Sequence, residues 1–203
     1  MKVVPFLGLT ALLFASTMVE AQSDNTATTT SAIRFGVKGG VNFATVTGKD
    51  FDTPDSRTSF HVGVLAEFPL TEMISLQAEA LYSGQGFESD IDGADGSKVE
   101  YQLDYINVPV LAKVFLTDGL SLEVGPQFSF KVNEEVDTDP SDNPGDIDLN
   151  AAKDYDFGIA GGITFRTQGG FFATGRYTYG LTDIIEDADV KNSVFQLGVG
   201  FLF

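Results

Sequence analysis

The sequence predicts an all-β protein, an eight-stranded antiparallel up-and-down transmembrane β-barrel. Three observations point to it. Apolar and polar residues alternate with period two in eight separate stretches, as they do in strands with one greasy face. The seven connections between those stretches alternate long and short. The polar faces also carry Arg34, Lys38, Glu67, Glu79, Lys113, Glu123, Lys131 and Arg176 across six of the eight strands. A soluble barrel would bury that set in its core, at several kcal/mol per unpaired ion. A membrane barrel turns the pattern inside out, with apolar side chains on lipid and charged ones in the lumen.

Residues 1–21 read as a signal peptide. Lys2 gives a short positive start, Val3 to Val19 is mostly apolar, and Val19-Glu20-Ala21 resembles a small-x-small cleavage site. Residues 22–32 are a polar, Thr-rich lead-in, and the barrel is expected over residues 33–203. After the leader no run approaches the ~20 apolar residues of a spanning helix, so a membrane-embedded mature chain must cross by strands.

The first strand is expected at Ile33 to Ala44, where Ile33, Phe35, Val37, Val41 and Phe43 alternate with Arg34, Gly36, Lys38, Gly40 and Asn42. The second, Ser59 to Phe68, sets Phe60, Val62, Val64 and Phe68 against His61 and Glu67. A tiny connection, Pro69 to Glu72, leads to the third at Met73 to Gly86. The fourth, Val99 to Phe115, is irregular. Tyr101, Leu103 and Tyr105 have the wrong parity to extend the apolar face of Ile106, Val108 and Val110. Either a bulge shifts the register near Tyr105, or that end projects beyond the lipid. Pro109, which cannot donate to a ladder, marks a further local irregularity.

Thr117-Asp118-Gly119 is a hairpin turn signal. It leads to the cleanest strand, Leu120 to Asn133. The longest connection, Glu134 to Asp154, holds seven acids and no base between Glu134 and Asp148. Tyr155 to Arg166 and Phe171 to Leu181 follow, joined by the short turn Thr167 to Gly170. The closing strand, Asn192 to Phe203, puts Phe195, Leu197, Val199, Phe201 and Phe203 on one face and Gln196, Gly198 and Gly200 on the other.

Composition narrows function by exclusion. The net charge of −17, from 29 acids and 12 bases, argues against nucleic acid, whose phosphates need Lys and Arg. Cysteine is absent, which removes disulfides and thiolate metal sites. No His-Glu-x-x-His, Gly-x-Ser-x-Gly or phosphate-loop motif occurs, so no enzyme activity and no cofactor are expected.

Four blocks carry a family resemblance: Phe35 to Ala44, Tyr105 to Lys113, Gly175 to Ile184 and Phe195 to Phe203. With them the chain resembles the PorT-like outer-membrane β-barrel family of Gram-negative bacteria. The resemblance implies a cell outer membrane location after export through the periplasm. It also implies, for some members, an accessory role in a protein-secretion system. Phe201 and Phe203 resemble the C-terminal signal read by the barrel-assembly machinery; Phe203 is equally a plain lipid-facing aromatic.

The expected role is that of a small structural or protein-interaction barrel with a charge-plugged lumen. Its partners are outer-membrane lipid and lipopolysaccharide, the assembly machinery during biogenesis, and a protein met through the acidic outer loops. Arg34, Lys38, Lys113 and Arg176 facing Glu67, Glu79 and Glu123 form the lumen charge network; a conducting path is the alternative. A second alternative is an enzyme at the outer rim using His61, with Asp104 and Asp156 at the same level. Asp146-Ile147-Asp148-Leu149-Asn150 begins like a calcium loop, but Ala151 replaces the required Gly and Phe157 the bidentate Glu, so no metal site is assigned.

Overall fold

The computed structural model describes residues 32–48, 55–90, 98–137, 147–148, 153–183 and 190–203. The strands are β1 (Arg34–Gly48), β2 (Asp55–Pro69), β3 (Ile74–Asp90), β4 (Lys98–Phe115), β5 (Leu120–Asp137), a two-residue β6 (Ile147–Asp148), β7 (Tyr155–Arg166), β8 (Phe171–Gly180) and β9 (Val190–Leu202). Each long strand pairs antiparallel with its neighbour in the chain, and β5 pairs with β7 directly. β1 pairs with β9 from Gly36↔Leu202 to Gly48↔Val190, which closes the ring. Eight strands therefore form a closed barrel with no free sheet edge along the seam. The leader and all but the last residue of the lead-in lie outside the described residues.

The alternation sets the two faces as the pattern requires. Phe35, Val37, Val41, Phe60, Val64, Val124, Phe165, Val199 and many others stand exposed on the outside. Lys38, Glu67, Glu79, Lys113, Glu123 and Arg176 are buried inside. This inversion of a soluble core is the physical mark of a barrel solvated by lipid. The short connections at Leu70–Met73, Leu116–Gly119 and Thr167–Gly170 share one end with both termini of the barrel. That end is the periplasmic one. Gly170 takes a positive φ of 89° there, a conformation that side-chain-bearing residues rarely adopt.

The strands run further than the alternation marks. β1 continues from the expected end at Ala44 to Gly48, β3 from Gly86 to Asp90, and β5 from Asn133 to Asp137; β9 begins at Val190 rather than Asn192. The reason is that alternation records only the stretch that faces lipid. Ladder hydrogen bonds continue beyond it without any demand for greasy side chains. The alternation does not mark β6, where Ile147–Asp148 pairs with Val136 and Glu135 of β5. Strand pairing inside the calcium-like stretch is at odds with a metal-binding turn; the rest of that stretch lies outside the described residues.

The two readings of Tyr105 are resolved by dividing them between strands. β4 keeps its parity, so Leu103 and Tyr105 point inward together with Asn107 and Leu111. The register shift lies opposite, where Asp104↔Asn133 is followed by Tyr105↔Lys131 and Val132 is left over on β5. Above it Glu134 turns inward instead of Asn133. Leu103 and Tyr105 join Val46 and Val190 in a buried apolar cluster that Phe87 and Tyr101 pack against. The outer end of the barrel thus has a small core of its own. At Pro109 the β3–β4 ladder is interrupted between Ala78↔Val110 and Leu81↔Asn107 without a change of register, as a missing donor requires.

Candidate functional site in the barrel lumen

The lumen is built from inward positions of all eight strands, and its polar side chains assemble in tiers. The central tier is organised by Arg176 of β8, which is fully buried. Its two terminal nitrogens donate to the two carboxylate oxygens of Glu79, each at 2.7 Å, and its Nε donates to Glu123 Oε1 at 2.8 Å. This fork matches a carboxylate in a way a lysine cannot. Lys38 Nζ lies 3.5 Å from Glu79 Oε2, and the Thr164 hydroxyl donates to Glu123 Oε2 at 3.0 Å. Two cations and two carboxylates balance one another in this tier.

Nearer the periplasm, Glu67 is the acceptor of a second tier. Lys113 Nζ donates to Glu67 Oε2 at 3.1 Å and Arg166 to Oε1 at 2.8 Å. Arg34 is looser, 3.8 Å from Glu67 with its side chain 42% exposed at the barrel mouth. Gln77 couples the tiers: its Oε1 accepts from Lys113 at 2.9 Å and its amide donates to Glu79. All seven sequence-derived lumen charges therefore fall into one connected set. Arg166, which also stacks 5.0 Å from the Phe115 ring, joins them. Its place was legible, because it continues the inward parity of Asp156, Gly158, Ala160, Gly162 and Thr164. Gln77 carries no charge and gave no such signal. In the gap bounded by Lys38, Lys113, Arg166 and Arg176 no water-sized sphere fits.

Above the central tier lies His61, and here the structure corrects the sequence reading. His61 is 1% exposed and pairs across the sheet with Gly40 and Ser83, well below the rim. β2 simply runs on to Asp55 above it. Asn42 donates from its amide to Gly84 O at 2.7 Å, which fixes its Oδ1 as an acceptor. His61 Nδ1 must then be the donor in its 2.8 Å contact with Asn42 Oδ1, and Gln196 donates to the same oxygen at 2.9 Å.

Neither proposed acid partner bonds to His61. Asp104 is on the outward parity of β4, where it accepts from Tyr82 at 2.8 Å. Asp156 accepts from Thr182 at 2.5 Å and from Asn192 at 3.1 Å. The His61, Asp104, Asp156 constellation is therefore not assembled.

At the outer end, Lys131 Nζ donates to Glu134 Oε2 at 2.6 Å, and the Tyr101 hydroxyl donates to Glu134 Oε1. Burial and the neighbouring Glu134 carboxylate push the Tyr101 phenol well above its ordinary range. Among the described residues no group of three or more His, Cys, Asp or Glu is placed to hold a metal ion. At the C-terminus, Phe203 is 70% exposed on the lipid side, with its N–H donated to Phe35 O at 2.9 Å; Phe201 meets Phe171 edge to face at 4.8 Å.

Comparison with known proteins places this geometry. Residues 20–186 match the family model described as outer membrane protein beta-barrel domain. No curated protein matches the chain. Among solved structures it is similar to Ail, the attachment invasion locus protein of Yersinia pestis. The TM-score is 0.52 at 12% identity, over 84% of this chain and 98% of that one. It is similar also to Neisserial surface protein A, with a TM-score of 0.58 at 14% identity, over 83% and 97% of the two chains. At these identities the likeness is one of fold.

Proposed function

The chain belongs to the outer membrane protein beta-barrel domain family and resides in the outer membrane, and from that premise we propose that it is a non-conducting barrel serving a structural or protein-interaction role through its outer end. The observation that carries the reading is the outer apolar cluster of Val46, Leu103, Tyr105 and Val190. A tilted strand needs ~9–11 residues to cross a bilayer. β3, β4 and β5 have 17, 18 and 18, so they stand beyond it. A wall with its own core is a rigid pedestal for the acidic connections. Rigid presentation lowers the ordering cost that a partner must overcome on binding.

The charged lumen supports the same reading from the other side. Paired carboxylates and guanidinium groups in a lumen this narrow act as a plug, with Arg34, Lys38, Glu67, Glu79, Lys113, Glu123 and Arg176 as its members. Function is then left to surfaces. The connection that follows Asn133 is acidic in sequence, with seven acids and no base from Glu134 to Asp148, so a basic protein face is the complementary partner. Ail has been crystallised with the heparin analogue sucrose octasulfate; a chain of net charge −17 opposes a polyanion of that kind.

The experiment is photo-crosslinking on intact cells from probes at Asn133 and Thr182 on the outer end and at Thr117 on a periplasmic turn. Capture of a discrete partner from the outer probes alone supports the role, and its loss on neutralising the acids from Glu134 to Asp148 completes the case. Capture from Thr117 alone, or no discrete partner at any site, contradicts it. The PorT-like blocks make a secretion accessory the narrower form of this proposal. Deleting the chain would then impair export of particular cargo.

A further inference from the structure

Two adjoining apolar depressions, of about 610 and 760 Å3, lie on the outer surface over β1, β9, β8 and β7. They share Phe165, Ala173 and Val199. The sheet register explains their shape. One row across the strands runs Val62, Gly39, Val199, Ala173, Phe165, and the next row outward runs Val41, Leu197, Gly175, Ile163. Gly39 and Ala173 therefore lower the surface on both sides of Val199, and Gly175 lowers it beside Leu197. The Phe171–Phe201 pair bounds the hollow on the periplasmic side, and the Phe43–Phe195 stack, with ring centroids 6.4 Å apart, bounds it outward.

The barrel itself does not require these glycines. Lumen glycines are forced by close approach: a Cβ on Gly40 would lie 2.0 Å from Leu197 O, and one on Gly63 would lie 2.0 Å from Ala80 O. On Gly175 the nearest atoms would be Leu197 Cδ2 at 3.7 Å and Ile163 Cγ2 at 4.0 Å. On Gly39 they would be His61 O at 3.4 Å and Val62 Cγ2 at 3.9 Å. No aromatic atom lies within 4 Å of the Cβ position at either glycine. Glycine is a poor strand former, and here it relieves no clash. What it does is keep the groove open.

We propose that this groove seats one acyl chain of a phospholipid from the periplasmic leaflet. The hollow is continuous with the lipid-facing belt, and an outer-membrane barrel presents that belt to acyl chains. It begins at Thr167 and Phe171, the level of the periplasmic turns, and ends near mid-strand at Phe195 and Gly175. That span belongs to the phospholipid leaflet rather than to the lipopolysaccharide on the loop side. Seating a chain fills the hollow with dispersion contacts that a flat barrel wall lacks.

The test uses the full mature barrel in mild detergent, titrated with dioleoyl phosphatidylethanolamine and read by native mass spectrometry. The wild type is expected to retain one phospholipid at detergent levels that strip the rest. Gly39→Leu/Gly175→Leu is expected to lose that retention by tenfold or more, and Val124→Phe, on β5 and outside the groove lining, to keep it. A second reading works without filling the groove. The chain has no Trp, so Val199→Trp and Val124→Trp give single-fluorophore barrels. Phosphatidylethanolamine with brominated acyl chains should quench the groove Trp at several-fold lower mole fraction than the control. Equal retention in the wild type and the double variant overturns the proposal, and so does equal quenching at the two positions. A dimer that the double variant abolishes also overturns it, assigning the groove to a second copy of the chain.

Discussion

Replacing Arg176 with Met tests the lumen network at its most connected point. Met keeps the length and removes the charge. Glu123 is then left with the Thr164 hydroxyl at 3.0 Å, and Glu79 with the Gln77 amide and Lys38 at 3.5 Å. All three carboxylate-to-guanidinium bonds of 2.7–2.8 Å are lost at sites with no solvent exposure. Removing one member of a buried ion cluster costs about 3–5 kcal/mol, most of it the stranded charge. That is a shift of roughly two to four powers of ten in the folding equilibrium. Equilibrium urea unfolding in phospholipid vesicles, followed by the mobility difference between folded and unfolded chains, reads it. Glu123→Gln/Arg176→Met leaves the balanced pair Lys38 and Glu79, and is expected to recover at least half of the loss. A cost below about 1 kcal/mol for Arg176→Met, typical of a solvated pair, would refute the reasoning. A double variant no better than the single would refute it equally.

Other outcomes follow from single contacts. His61→Ala removes the bond to Asn42 Oδ1 and is expected to destabilise by about 1–2 kcal/mol in the same unfolding assay. Gly63→Val drives a side chain into Ala80 O, 2.0 Å from where its Cβ must go, and should fail to give a heat-modifiable gel band; Gly175→Ala should give the wild-type band. Deleting Phe203 removes an exposed aromatic and the N–H bond to Phe35 O, and should lower the amount of assembled barrel in outer-membrane fractions. The Tyr101 phenol is raised in the folded state. Its contribution to stability should be constant below the unfolded value of about 10 and be lost as pH climbs from there toward the folded value. Tyr101→Phe should flatten that alkaline decline.

Most of the fold was legible because lipid imposes a strict demand. Each strand residue faces either acyl chains or a crowded lumen, and Phe35, Val37, Val41 against Lys38, Asn42 states the choice outright. The same argument placed the lumen charges on one face, and parity alone would have added Arg166. Strand ends were illegible for a matching reason: above the bilayer that demand stops, so Thr45 to Thr47 look like loop while their ladder continues. The sequence puts His61 near the rim because the alternation of β2 begins only at Ser59, while the strand itself begins at Asp55. The bulge at Val132 could not be read from β5, whose alternation runs cleanly through it; the discord appeared instead on its partner, at Tyr105. Gln77 and Asn42 join the network by geometry, and an uncharged amide on an inward face gives no signal of what it will bridge.

Planar-bilayer recording of the purified wild-type barrel tests most directly the claim that paired charges close the lumen. The account predicts no conductance above the lipid baseline at any voltage the bilayer withstands. Reproducible unitary openings with the wild-type barrel that are absent from protein-free detergent controls would contradict it.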